Sequence, residues 1–283
     1  MKYNIRLACC LILAVSLSLT GNAQEANLMQ LYGIPVTGNQ DTLRFGVVLP
    51  PSYGQHSYAY PVIYYMHGMN RHYAGPRAHW IANFFYQQCK EGLLPEFIMV
   101  FIDDGEGYVC DHADGDPLLE TDIVTSLIPY MDQHYSTDPA QRLTMGYSLG
   151  GNGAIFMYAK HPELFRAGIS LDGGIVTYED YVQRTGGRPE IISDEEYFYE
   201  YGSPYNWVKR NREALLEKQE PSIFLSAALL KEANEAFVSV LDAEGIPSTF
   251  IELKDFNHEF GYVFSGSEEA LLAFLAGILE RER

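Results

Sequence analysis

The chain is poor in positive charge, in cysteine and in long apolar runs. Lys and Arg number 19 against 37 Asp and Glu, a formal net charge of -18, so nucleic acid and anionic membranes are repelled. The same field disfavours polyanionic substrates such as pectate and favours neutral ones. Four cysteines are too few for a disulfide-built scaffold, and two of them, Cys9 and Cys10, sit in an N-terminal apolar run. The other pair, Cys89 and Cys110, reads either as a bridge or as two buried thiols, because sequence supplies no distance between them. Beyond the N-terminal run, no stretch reaches the roughly 18 consecutive apolar residues of a membrane helix. Repeats, low-complexity segments and Gly/Ser linkers are also missing, which argues against a solenoid and against tethered domains.

What remains is core-forming. With 283 residues, 47% of them apolar and 13% aromatic, the chain has enough hydrophobic surface for one large α/β domain. Its first residues stand apart: "MKYNIR" is basic, "LACCLILAVSLSL" is apolar, and "GNA" places small residues before a cut after Ala23. That is the pattern of a secretory signal peptide. The expectation is a signal peptide over 1–23 and a mature domain over 24–283, exported to periplasm or medium, with no membrane insertion after cleavage.

From about residue 42 apolar runs alternate with helical patterns, which implies parallel strands joined by crossover helices. Strands are predicted at "TLRFGVVLPPSY", ended by Pro50 and Pro51, and at "YPVIYYMHG", 97–102, 142–145, 167–171, 222–227 and 248–253. Helices are predicted at 79–91, 120–134 despite Pro129, 152–160, 232–244 and 267–280, with Gly245 as a C-terminal cap. Residues 173–221 break the rhythm. They are rich in Tyr and carry Trp207, and read as an insertion forming a lid or pocket wall, or else a satellite subdomain.

The chemistry concentrates at Gly146-Tyr147-Ser148-Leu149-Gly150, a G-x-S-x-G pattern between a strand and a helix. Such a turn strains the serine backbone, demands small neighbours, and projects the hydroxyl over a helix N-terminus. A hydroxyl needs a base, and the chain order of this kind of site puts the histidine downstream. Two histidines follow Ser148. His161 lies at the far end of the helix, about 15 Å from its start by helical rise, and reads as a surface or capping residue. His258 follows the last strand and is the expected base. The backbone N–H groups of Leu149 and Met69 are the expected oxyanion donors; His67, in the same turn as Met69, is expected to shape it.

"VVLPPSY...YPVIYYMHGM", "ETDIVTSLIPYMDQHYSTDPAQRLTMGYSLGGNGAIFMYAKHPELF" and "NHEF" resemble the putative-esterase family of α/β-hydrolases, which includes feruloyl and acetylxylan esterases, esterase D and mycolyltransferases. The resemblance covers roughly residues 42 to 280. It implies an α/β-hydrolase fold, a mostly parallel sheet flanked by helices with the aromatic-rich insertion near the active site, and a Ser-Asp-His triad with no metal and no cofactor. The sequence departs at the acid. The family pattern places an aspartate six residues before an Asn; counting back from Asn234 gives Ala228. Asp172 in "SLDGG" stands first as the substitute, Glu232 second, and a site with no acid stays open. The loop "DDGEGYVCDHADGD" suggests calcium by its carboxylates but lacks EF-hand spacing; a similar loop in the family implies a structural, substrate-side role.

The expected activity is exported serine carboxylesterase, releasing feruloyl or acetyl groups from plant polysaccharide or a related small-molecule ester; the oligomeric state is open. The alternative is a catalytically weak or inactive carbohydrate-binding member, motivated by Ala228. A peptidase reading is weaker, because the chain is too short for an added propeller.

Overall fold

The computed structural model describes residues 28–36, 42–69, 71–105, 108–218, 221–254 and 257–279. The signal segment expected over 1–23 lies outside the described residues. Eight strands form one sheet: β1 (Met29–Pro35), β2 (Thr42–Val48), β3 (Tyr60–Met66), β4 (Ile98–Ile102), β5 (Thr137–Tyr147), β6 (Ala167–Leu171), β7 (Ile223–Ala227) and β8 (Ser248–Glu252). Their order is β1-β2-β4-β3-β5-β6-β7-β8. β1 with β2 and β2 with β4 are antiparallel; the remaining pairs are parallel. The helices are α1 (Pro76–Lys90), α2 (Leu119–Asp122), α3 (Ile128–His134), α4 (Leu149–Lys160), α5 (Tyr178–Thr185), α6 (Glu195–Tyr197), α7 (Tyr205–Arg210), α8 (Arg212–Leu216), α9 (Lys231–Glu244) and α10 (Phe260–Leu279).

The sheet is buried on both faces, which is why its central strands read as unbroken apolar runs. β3 shows how one run feeds two cores. Tyr60, Val62, Tyr64 and Met66 enter the layer that holds α4 and Phe237 of α9. Ile63 and Tyr65, one residue out of phase, enter the layer that holds α1 and α10. This follows from the two-residue side-chain period of a strand.

Several predicted boundaries move. β1 has no counterpart among the predicted strands, because "MQLYGIP" is an edge strand whose exposed positions carry Leu31 (54% exposed) and other mixed side chains. The helix predicted over 120–134 is α2 and α3 joined through a π-helical turn at Ile123–Leu127. Pro129 explains that turn: a helix-interior proline lacks an N–H and crowds the carbonyl four residues back, and a wider turn relieves both. α10 begins at Phe260, seven residues before the predicted start at 267. At 20 residues with mean hydropathy 1.3 it is long and apolar enough to cross a membrane. Here it packs on the sheet through Val263, Phe264, Leu271 and Leu275.

The strand order reverses around β3, between β4 and β5. In open α/β sheets this opens a crevice at the carboxyl ends of the strands. The turns that follow β3, β5 and β6 converge there.

Candidate active site

β5 delivers Ser148. The serine takes φ 58° and ψ -122° as the N-cap of α4, a backbone region that costs a non-glycine residue on the order of 1–3 kcal/mol. Its neighbours make the turn possible. A Cβ on Gly150 would collide with the carbonyl oxygens of Met66 and His67, and one on Gly146 with the carbonyl of Gly150. The strained turn is tied to β6 by Ser148 N–H donating to Leu171 O at 3.0 Å and Gly174 N–H donating to Ser148 O at 2.8 Å.

The loop before α10 delivers His258. Its Nε2 lies 2.8 Å from Ser148 Oγ, and its Nδ1 lies 2.6 Å from Asp172 Oδ2. Because an ionised carboxylate only accepts, Nδ1 carries the proton and Nε2 is left to accept from the serine hydroxyl. Asp172 follows β6 in a left-handed conformation, φ 45°, with its side chain fully enclosed while that of His258 is 29% exposed. Three main-chain amides grip the carboxylate: Ala228 at 2.8 Å, Leu229 at 3.2 Å and Leu230 at 3.0 Å. The position where the resemblance expected an acid, Ala228, thus supplies an N–H to an acid arriving from the neighbouring strand. Asn234 stitches the two turns together, its Nδ2 donating to Gly173 O at 2.9 Å and to Leu230 O at 2.8 Å.

Beside Ser148 opens a cavity of about 210 Å³. Met69 and Leu149 line it with Ser148 and His258. Among the described residues neither the Leu149 nor the Met69 N–H donates to a main-chain acceptor; Leu149 is the first residue of α4, whose first amides lack intrahelical partners, and Met69 lies in the turn after β3. The walls are Tyr108 from the carboxylate-rich loop, with Val176, Tyr181 and Phe198 from the insertion. The insertion shares a small core with Tyr108 and Cys110 of the carboxylate-rich loop, in which Tyr181 stacks on Phe198 at 5.3 Å and meets Tyr108 edge-on at 5.8 Å.

Two sequence families match the chain. The family described as "Putative esterase" matches residues 38–190, more than half of the 283. The prolyl oligopeptidase family matches residues 121–279. No curated protein matches the sequence. Among solved structures, a ferulic acid esterase superposes with a TM-score of 0.69 at 21% identity, over 89% of this chain and 98% of its own. A CE1 ferulic acid esterase from Anaeromyces mucronatus gives 0.63 at 15%, over 89% and 91%. An S-formylglutathione hydrolase from Agrobacterium tumefaciens gives 0.63 at 17%, over 89% and 97%. The chain belongs to the putative-esterase family. Its fold is that of the α/β-hydrolases, and it is a serine carboxylic ester hydrolase.

The remaining candidates read from the sequence fall elsewhere once this esterase is folded. Glu232, the second choice for the acid, is exposed in the first turn of α9; a carboxylate is favourable at that helix N-terminus, and among the described residues the carboxylate paired with His258 is that of Asp172. His161 is the C-cap of α4, 2.7 Å from Glu120. Cys89 and Cys110 are free and buried; burial pushes the Cys89 thiol up to about 12. In the carboxylate-rich loop, Asp111 accepts from Thr121 N at 3.0 Å and from Thr121 Oγ1 at 2.6 Å. Asp104 lies 2.7 Å from Nε2 of His67, whose Nδ1 is 2.9 Å from Gly68 O. Burial lowers the His67 pKa, and the Asp104 carboxylate more than reverses this, so it rises above 6.5. Burial in turn raises Asp104 to about 6. This enclosed pair sits under the turn that presents Met69.

In the sequence Tyr147 reads only as the variable position of the motif. In the folded esterase its ring stacks on the His258 imidazole at 5.1 Å, its hydroxyl donates to His258 O, and the Arg77 guanidinium lies 4.9 Å above it and 4.7 Å above Phe260. Burial raises the phenol to about 12, so it keeps its proton for that bond. A tyrosine before the serine carries no legible signal, because its partner lies 111 residues downstream.

Proposed function

We propose that this esterase is exported and removes feruloyl or acetyl groups from plant polysaccharide or related esters, with Ser148 forming the acyl-enzyme. The observation that carries the reading is the unbroken series from Ser148 Oγ to His258 Nε2, 2.8 Å, and from His258 Nδ1 to Asp172, 2.6 Å. His258 takes the serine proton as the hydroxyl attacks the ester carbonyl, and Asp172 holds the ring in the tautomer that can accept it. The Leu149 and Met69 amides stabilise the oxyanion. His258 then returns the proton to the departing alkoxide, and a water activated the same way releases the acid. A cavity of about 210 Å³ walled by tyrosine, phenylalanine and valine suits an aryl or short acyl group, and ligand pockets are commonly apolar with few polar groups. Export rests on the basic, apolar and small-residue succession of residues 1–23. The binding-only alternative loses its motive, since Asp172 stands in for the acid absent at Ala228.

The test is turnover of 4-nitrophenyl acetate and methyl ferulate by the natural chain and by Ser148→Ala. The expected loss in kcat is at least about 10⁴-fold. Equal, background rates in both proteins would remove the catalytic reading. N-terminal sequencing of the exported protein, expected to begin at Gln24, tests the targeting.

A further inference from the structure

The polar side chains of the Ser148 cavity are few, and apart from the hydroxyls of Tyr108 and Tyr181 the neutral ones are committed. Ser148 and His258 bond each other. Asn152 donates from Nδ2 to Gly202 O at 2.8 Å. Thr185 donates from Oγ1 to Tyr181 O at 2.8 Å and accepts from Gly187 N at 3.2 Å. Arg184, which lines the same cavity, is different: among the described residues no carboxylate or other acceptor pairs with its guanidinium. Some other cations of this acidic chain find carboxylates, as Arg142 does with Asp132, Lys160 with Glu120, Arg188 with Glu190 and Arg210 with Glu200, but those lie outside the cavity lining.

Arg184 is exposed yet borders the cavity, so it stands at the mouth, where the part of an ester outside the apolar walls must lie. α5 holds it there. Tyr181, one turn earlier on that helix, is buried in the cavity wall, and residues three apart share a helix face. A guanidinium offers five N–H donors in a fork that matches a carboxylate. With a net charge of -18 the wider field repels anions, so a carboxylate gains at this mouth only from a close, local partner.

We propose that Arg184 is a specificity residue for the alcohol half of the substrate, and that this half carries a carboxylate beside the ester, as an ester-decorated acidic sugar does. The inference rests on the esterase reading for which half of the ester lies outside. It refines the substrate from neutral saccharide esters to those bearing one carboxylate near the scissile bond. The competing role for Arg184, a cation in the last turn of α5 that complements the helix dipole, predicts no effect on ligand choice.

The test measures binding, so that it stands apart from catalysis. Calorimetry on Ser148→Ala compares 2-carboxyethyl ferulate with 3-methylbutyl ferulate, esters of equal heavy-atom count in which an isopropyl group replaces the carboxylate. The carboxylated ester should bind about 10-fold tighter at low ionic strength, with the preference shrinking as salt rises. In Ser148→Ala/Arg184→Gln the ratio should fall to near one. Arg184→Lys, which keeps the charge and loses the fork, should fall between. Equal affinities in Ser148→Ala, no measurable binding of the carboxylated ester, or a preference that survives Arg184→Gln overturns the proposal. Failure of the natural chain to turn over 4-nitrophenyl acetate would instead overturn the esterase reading, and the affinity ratio would still report on Arg184.

Discussion

Asp172 shows how much one side chain owes to its surroundings. It sits in a backbone conformation unusual for a non-glycine residue, φ 45°, and three amides and an imidazole converge on its carboxylate. Asp172→Asn is expected to lower kcat by about 10⁴-fold, because the wrong imidazole tautomer then faces the serine, with KM changed little; steady-state kinetics on methyl ferulate checks this. Tyr147→Phe separates bracing from chemistry. It keeps the ring on the imidazole and removes the bond to His258 O, so kcat should fall about 10-fold while KM stays within about twofold, the pattern of a lost transition-state interaction. A rise in KM with kcat intact would count against that role. The serine and histidine are legible in sequence because motif, chain order and the scarcity of downstream histidines all point the same way. The acid stays one of two carboxylates there, since only folding brings the end of β6 against the 228–230 turn. Tyr147 and Arg184 leave no local trace at all.

At the scale of elements, the turns are more constrained than the strands they join. Gly150→Ala drives a methyl into the carbonyls of Met66 and His67, where backbone cannot yield as a flexible side chain would. A loss of at least about 2 kcal/mol in urea unfolding is expected. The turn after β3 also carries a pH dependence. His67 has a folded pKa above 6.5, so the stability it contributes is complete below about 6.5 and is lost as pH rises through the folded value. Asp104, raised from 3.8 to about 6 by burial, acts in the same direction over a more acidic window: its folded form holds a proton the unfolded form has released. The urea midpoint should therefore fall as pH rises above about 6.5, and His67→Gln should flatten that slope. A natural chain with no slope would show that the pair does not titrate there. The π turn ahead of Pro129 and the early start of α10 are illegible in sequence for a related reason: element ends depend on what packs against them, while the interiors of β3, β4, β6 and β7 declare themselves by composition.

The whole molecule is one sheet between two helical layers, with the insertion fastened to one end as a third cluster. Neither buried cysteine contributes a cross-link. Adding a reductant should leave Tm unchanged, and both thiols should react with an aromatic disulfide reagent only after unfolding, a reactivity assay that a hidden bridge would fail. The insertion is where sequence leaves two roles open, lid wall or satellite subdomain; in the fold its aromatic side chains cluster with Tyr108 and Cys110 of the carboxylate-rich loop, and Val176, Tyr181 and Phe198 line the cavity. The linear chain is enough to set the class of the molecule: apolar runs of strand length alternating with amphipathic helices, a glycine-flanked serine at one junction, a histidine after the last strand. These are local patterns with short periods, and a linear chain displays them. Which carboxylate meets His258, what braces that ring, and what charge waits at the mouth were decided only in three dimensions, because each depends on residues 86, 111 or 36 positions apart, Asp172 with His258, Tyr147 with His258 and Ser148 with Arg184, whose meeting follows from strand order rather than from spacing.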